Sequence, residues 1–584
     1  MNKKAVWIIF QIVLMLQFSF LTNIGSYQDV QIGDKIGFVG DFESDVLYSS
    51  YFGGESNEYS YSFALDKNDN IWITGLSESN NLKTTTGVNK PIGTGIFLSE
   101  FSNDGSTLLF STWLGPGTVM WESYRDFPSI VIDSKNNVIV SGTTKSNSFP
   151  TTENAIQNNI TGERDAFISI LSNKGQLLYS TFLGGTGSEF CSGLSLDRYD
   201  DIYISGVTNS SDLPVTSKAF DRNLNGSFDI FIGKFSYENN SLEYLTYLGG
   251  SGVENIFPTN LAFDSSNNLI IAGDTLSTDY PTTVDAMNGS YNGGKGFNLP
   301  KPPFISNETN YCCGDIVLTK LSQTGNLVYS SFLGGSGNEK PHGLTTDTDG
   351  NIFITGSTNS TNFPTTKGSF DRINNGDASN NYGLHFFFGD AFVTKLTPDL
   401  KHIIYSTYIG GDDIDAAESV VINSDNQAII TGITESTNFP IKNEIFSNNS
   451  ISKEVNRSND VFVTTFSSDG SSLVNSTYYG GRGHDNGDKI IINSKGQVVL
   501  VGWSESTDFP ITGSAFQKTK SEINDRNSDI VLIIFGEQQS IFPFKSTISK
   551  TSTTSNLSLP SLLVPISIFL LVIIRRISKK QKIR

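Results

Sequence analysis

One phrase occurs seven times along the chain, and its recurrence limits what the chain can fold into more than any other feature. It first reads Tyr48-Ser49-Ser50-Tyr51-Phe52-Gly53-Gly54. Close relatives are Phe110 to Gly115, Tyr179 to Gly185, Tyr244 to Gly250, Tyr329 to Gly335, Tyr405 to Gly411 and Asn475 to Gly481. The steps between their first glycines are 62, 69, 65, 85, 76 and 70 residues. A repeat of this length is one supersecondary unit that must stack on its neighbours to bury its faces.

Each interval follows the same order. After Gly-Gly an apolar run ends in Asp or Asn, a polar turn follows, and a second apolar run ends in Gly. In the fifth unit these are Leu344 to Asp347, Thr348 to Asn351 and Ile352 to Gly356. An Asp-Gly turn between alternating runs is a hairpin signal. A Ser-x-x-Phe-Pro element comes next (Ser360 to Pro364), then a loop of variable length. A third run, Asp390 to Leu396, leads through a turn into the next Tyr-Ser-Thr strand. Four strands joined by tight turns make one small antiparallel sheet. Such sheets bury both faces when arranged radially. The expected fold is therefore all-β: a seven-bladed propeller of four-stranded antiparallel blades over residues 45–536. The first copy supplies only a last strand and the final copy stops after its third, Asp529 to Phe535. The N-terminal strand is expected to pair into the last blade and close the ring.

Taken together, the Tyr-Ser-Thr-Phe-Leu-Gly-Gly phrase, the Asp-x-x-Gly-Asn hairpin and the Ser-x-x-Phe-Pro element resemble the seven-bladed β-propeller repeat (SBBP repeat) family of exported bacterial and archaeal surface proteins. The first unit departs from the pattern, with Asn81-Leu82-Lys83 for Phe-Pro and Gly115-Pro116-Gly117 for Gly-Gly. The resemblance implies a fold and an exported location; it implies no established activity.

The two ends give the expected address. Lys3 and Lys4 precede an apolar run from Ala5 to Leu21, and small or polar residues follow. This matches a signal peptide over residues 1–27, with an uncleaved anchor as the alternative. Residues 537–556 are Ser/Thr-rich and read as a stalk. Residues 557–574 form an apolar run long enough to cross a bilayer as a transmembrane helix. Residues 575–584 are basic and belong on the cytoplasmic side. A sortase-type sorting signal has a similar outline, but only Leu559-Pro560-Ser561 stands where its motif would be. The reading is a single-pass membrane protein with its propeller facing outward. Sequons at Asn159, Asn209, Asn307, Asn359 and Asn475 fit a glycosylated surface.

The chain carries 40 Lys+Arg against 59 Asp+Glu, a net charge of −19. Nucleic acid is therefore not an expected partner. Three cysteines exclude a disulfide framework, and four histidines leave little for a His-rich metal site.

One acid recurs just after each Gly-Gly: Glu58, Glu189, Glu254, Glu339, Asp415 and Asp485, with Glu122 a looser match. Two readings fit. The acids form a ring near the channel that holds calcium, which favours several oxygen ligands. Or each one caps backbone N–H groups in its own turn. A second acidic series (Asp66, Asp133, Asp197, Asp264, Asp347, with Asn423 and Asn493) lacks EF-hand spacing and reads as Asx turns. The Phe-Pro elements read as packing between blades.

Two units carry long loops between their second and third strands. One holds Cys312 and Cys313, the other His385, Phe386, Phe387 and Phe388. Long loops on a rigid scaffold are where ligands bind; burial of the aromatics against each other is the alternative. Cys191 is the third cysteine, open to pairing with either of the other two. No nucleophile elbow, zinc-protease or phosphate-loop motif occurs. The functional reading is a binding, adhesion or structural module with an extracellular protein or glycan ligand. The alternative is an extracellular propeller enzyme, a glycan or peptide hydrolase or lyase, with its site in the central funnel. Convergent acids and bases in the funnel would favour the enzyme, and an aromatic face the binder.

Overall fold

The computed structural model of the chain describes residues 46–118, 128–294, 296, 313–376, 389–443, 458–521 and 527–537. Both terminal apolar runs, the stalk, the basic tail, Glu122, Cys312 and the run His385 to Phe388 lie outside them.

Seven four-stranded antiparallel sheets stand around one axis. Their innermost strands are Glu58–Leu65, Ser129–Ile132, Glu189–Leu196, Glu254–Phe263, Glu339–Thr346, Asp415–Ile422 and Asp485–Ile492, which define blades 1 to 7. Each inner strand packs against the next, and blade 7 against blade 1, so the ring is closed. One bridge, Thr259 beside Gly343, joins blades 4 and 5 into a continuous sheet.

Closure follows the split expected from the repeat. The first strand, Val46–Phe52, runs antiparallel to the third strand of blade 7, Asp529–Glu537, with Phe52 opposite Ile530 and Ser50 opposite Leu532. The core lies between blades. One cluster combines Phe52, Ile530 and Leu532 of blade 7 with Phe63, Ile73 and Phe97 of blade 1.

The outer edges are covered by the blades' own loops. In every blade a backbone N–H just after the Ser-x-x-Phe-Pro element, or its counterpart in blade 1, donates to a carbonyl of the outer strand. Examples are Thr152 to Ser180 at 3.0 Å and Thr366 to Ser406 at 3.0 Å. A long exposed strand edge would template aggregation, and this pairing blunts it. The phenylalanines of the element are buried: Phe363 meets Phe392 with ring centroids 4.7 Å apart, inside a cluster spanning blades 4 and 5.

The hairpin acids act within their own turns. Asp347 Oδ1, for example, accepts from the N–H groups of Asp349 at 3.0 Å and Asn351 at 2.8 Å. All seven hairpins repeat this Asx pattern. Cys191 is buried in the inner strand of blade 3.

The Gly-Gly pair has a steric cause. A Cβ on Gly334 would lie 2.6 Å from Glu339 Oε2, and one on Gly335 would lie 2.5 Å from Ser360 Cβ. Gly334→Ala should therefore destabilise the chain by about 1–3 kcal/mol, the cost of overpacking a filled site. Thermal melting against the wild type checks this.

Candidate functional site

The recurring acid opens the inner strand in six blades, and its surroundings are the same each time. Glu189 Oε2 accepts from the Gly185 N–H at 3.0 Å, and Oε1 from Thr208 Oγ1 at 2.6 Å and Ser210 Oγ at 2.5 Å. Asp415 Oδ2 accepts from the Gly411 N–H and Ser436 Oγ, both at 2.7 Å. Asp485 Oδ2 accepts from the Gly481 N–H at 2.6 Å and Ser506 Oγ at 2.8 Å. Glu58, Glu254 and Glu339 also take hydroxyl donors. All six are fully buried. Burial pushes Glu58, Glu189, Glu339 and Asp485 up to about 7, and Glu254 and Asp415 up to about 8, against the donors that lower them. The serine donor comes from the Ser-x-x-Phe-Pro element, so the acid ties that element to the Gly-Gly turn. Among the described residues no group of three or more His, Cys, Asp or Glu side chains converges as a metal site.

What breaks the sevenfold pattern lies slightly further along the inner strands. In blades 1 and 3 to 7 the register between first and second strands slips at one place. A bulge of this kind re-aims a side chain. In blade 5 the slip falls between Pro341 and Gly343 and leaves His342 over; in blade 6, between Ala417 and Ser419, it leaves Glu418. Ser192 is left over in blade 3, and Phe257 and Asp488 lie within the slips of blades 4 and 7. The second-strand glycine of the repeat sits opposite this point: a Cβ on Gly356 would run into the carbonyl oxygen of Lys340.

These residues meet from blade to blade. His342 Nδ1 is 2.8 Å from Glu418 Oε2. The His342 ring lies 4.9 Å from the Phe257 ring, and Lys340 Nζ lies 4.5 Å over the same ring. Phe257 of blade 4 also packs with Tyr59 of blade 1 and Trp503 of blade 7, so three aromatics fill the axis. In blade 7 the Asn486 side-chain amide donates to Asp488.

Exposure is low: 8% for Phe257, 6% for Lys340, 5% for His342 and 5% for Asp488. Burial lowers Lys340 to about 8 against the pull of Glu418 and Asp274. Burial also lowers His342, overriding Glu418, so its imidazole is neutral near pH 7. Asp488 is raised by burial and by the nearby Glu418 charge.

The arrangement offers donors (Lys340, His342), acceptors (Glu418, Asp488) and aromatic surface (Phe257, Tyr59, Trp503) within one sector. A neutral imidazole held by a carboxylate is also the geometry of a general base. None of these residues was singled out from the sequence as a site. The signal was present as a variable position at a fixed distance from the recurring acid. Ser192, Phe257, His342, Glu418 and Asp488 all stand three residues after the recurring acid. Of the long-loop residues, Cys313 is buried, with its N–H donating to Asp274 Oδ2 at 2.9 Å.

Solved structures match the chain at low similarity. Virginiamycin B lyase from Staphylococcus aureus is 10% identical with a TM-score of 0.38, and the match covers 83% of this chain and 98% of that one. The Pan2 WD40 domain of Neurospora crassa is 8% identical with a TM-score of 0.39, covering 85% and 97%. An ulvan lyase is 8% identical with a TM-score of 0.42, covering 84% and 96%. No curated protein matches the chain. Residues 328–364, from the outer strand of blade 4 to the Phe-Pro element of blade 5, match the family described as beta-propeller repeat (SBBP), and the chain is a seven-bladed β-propeller that carries this repeat.

Proposed function

We propose that the protein is an exported, membrane-anchored binding propeller, with its ligand held over the axial sector of blades 4 to 7. One observation carries this reading. Lys340, His342 and Asp488 are buried and ionisable, Glu418 is half-buried beside His342, and among the described residues this group falls in blades 5 to 7 of a ring whose other features repeat. The fold does not need them there: Ser192 fills the same position in blade 3, and Ala416 stands in blade 6 where Lys340 stands in blade 5. Burying such groups costs several kcal/mol per charge unless something is gained. Mixed donors and acceptors beside aromatic rings suit a polar ligand with an apolar face, such as a sugar.

The apolar run of residues 557–574 and the basic residues 575–584 support a single span with the propeller outside the cytoplasm. In intact cells expressing the full chain, external protease should release propeller fragments, and the C-terminal tail should stay with the membrane. Soluble recovery of the whole chain would overturn the anchor.

The His342–Glu418 pair favours a second reading, an enzyme using the neutral imidazole as base. A panel of polysaccharides and oligosaccharides tests both. Saturable binding without chain cleavage, lost in Lys340→Met, supports the binder. New reducing ends or unsaturated products support the enzyme.

A further inference from the structure

At six joints the acid that opens an inner strand faces a second acid, the aspartate that opens the third strand of the preceding blade. The pairs are Asp529 with Glu58, Asp165 with Glu189, Asp229 with Glu254, Asp315 with Glu339, Asp390 with Asp415, and Asp460 with Asp485. Asp460 is 5% exposed, Asp529 is 1% exposed and the others are fully buried. Between blades 4 and 5, Glu339 Oε2 and Asp315 Oδ1 lie 2.6 and 2.9 Å from one point, where a Cβ on Gly334 would stand. Among the described residues Asp315 Oδ1 accepts no hydrogen bond, while Glu339 is held by the Gly335 N–H and by the Thr358 and Ser360 hydroxyls. Asp315 Oδ2 accepts from the Asn292 N–H at 2.7 Å, and Glu339 Oε1 from Thr358 Oγ1 at 2.8 Å. Asp390 Oδ1, Asp460 Oδ1 and Asp529 Oδ1 are likewise left over in their joints. Asp229 Oδ1 and Glu254 Oε2 lie 2.6 and 2.7 Å from the point where a Cβ on Gly249 would stand. Among the described residues no lysine or arginine forms an ion pair with Asp315 or Glu339. The other titratable group turned toward both is Tyr291 on the blade 4 loop, with Asp274 beside it.

Two buried carboxylates without a counter-ion cannot both ionise cheaply, and an O–H on one would satisfy the oxygen left over on the other. We propose that the joints of Asp315, Asp390 and Asp460 each hold a proton between their two carboxyl groups, so that protonation clamps blades 4 to 7 to one another and this side of the ring loosens as pH rises. This stands apart from the axial binding reading and does not depend on it.

The sign follows from linkage. Burial raises Glu339 and Asp315 to about 7, Asp229 to about 6 and Asp460 to about 9. Unfolded carboxyls titrate near about 4. Groups raised on folding give stability that is full below about pH 4 and lost as pH climbs through their folded values. The surface aspartates Asp104, Asp212, Asp279 and Asp469 are lowered by serine, threonine or backbone donors, and so lose their contribution as pH falls. The stability maximum should therefore lie in mildly acidic solution.

The test is thermal melting of the full chain from about pH 5 to about pH 9, with infrared measurement of the protonated carboxylic acid band. The expected result is a melting temperature that falls steadily across this range, and an acid band that persists at pH 6 and fades with the same midpoint. Asp315→Asn together with Asp390→Asn keeps a donor at two joints and cannot ionise, so this variant should melt like the wild type at pH 5 and lose less by pH 8.5. A flat or rising melting temperature, or no acid band at pH 6, overturns the proposal. So does saturable recovery of the high-pH melting temperature by calcium, which would assign the pairs to a cation. If the variant does not fold, the infrared band of the wild type decides alone.

Discussion

A chain that begins after Phe52 should not melt as one cooperative unit. The strand Val46–Phe52 is the outer strand of blade 7, although it lies hundreds of residues from its partner in sequence. Removing it exposes the Asp529–Glu537 edge and uncovers the cluster that joins blade 7 to blade 1. Val46, Tyr48, Tyr51 and Phe52 are at most 4% exposed. At about 1.5–3 kcal/mol for each large buried apolar side chain, their loss approaches the ~5–15 kcal/mol that holds a typical domain together. Polar anchors go as well. Tyr51 Oη donates to the Ser506 carbonyl at 2.7 Å and accepts from the Phe509 N–H at 3.0 Å; Tyr48 Oη accepts from the Phe516 N–H at 3.0 Å.

The expected result is rapid proteolysis of blade 7 and a broad, early transition, partly reversed by adding a peptide of residues 46–54. Tyr51→Phe should cost about 1–3 kcal/mol, because it strands a buried carbonyl and a buried N–H. Leu47→Ala, at a position 51% exposed, should change little and serves as the control. A truncated chain that melts with the wild type would refute closure by this strand.

The features legible in the sequence are those that the fold repeats. Six Gly-Gly pairs and one Gly-Pro-Gly, seven hairpin acids or amides and the complementary split of strands between the ends are enough to give blade number, strand order and closure. The two-way reading of the recurring acids was also available, because an acid in every blade either meets its copies at the axis or serves its own turn. Choosing between those needs the partner of each carboxyl group. That partner, a serine more than twenty residues away on the far side of a hairpin, is visible in Ser210 and Glu189 only once the chain is folded. The axial sector was not legible for the opposite reason. Its residues are exceptions, and a single sequence shows an exception only against a register that includes the bulge. His342 counts as one histidine among four until Gly343 is paired with Thr355 and the slip beside it becomes apparent. The facing acids were half visible. Asp315 opens a strand in a way that alternation predicts, but nothing in the sequence says that Glu339 stands across from it.

Replacing the axial charges with neutral groups of similar size should leave the ring as stable as before, or more so, while abolishing ligand binding. Lys340→Met, His342→Phe, Glu418→Met and Asp488→Asn together remove these four ionisable groups from the inner strands and keep their volume, leaving Asp274 with its Asn255 and Cys313 donors. Phenylalanine already occupies this position in blade 4, as Phe257. Buried ion pairs exchanged for well-packed apolar groups are often neutral or stabilising by about 1–4 kcal/mol, whereas removing one partner alone costs about 3–5 kcal/mol. Glu418→Ala alone should therefore lower the melting temperature markedly. It leaves His342 without the carboxylate 2.8 Å from its ring and takes away the charge that favours protonated Lys340. A structural role and a ligand-binding role diverge at the fourfold variant. If the sector exists to hold the ring, the fourfold variant should be at least as damaged as Glu418→Ala. If it exists for a ligand, stability returns and binding does not, since an apolar plug cannot replace the hydrogen bonds that Lys340, His342 and Glu418 would give a polar molecule. Stability regained together with binding retained would move the ligand away from the axis, onto the rim or the long loops.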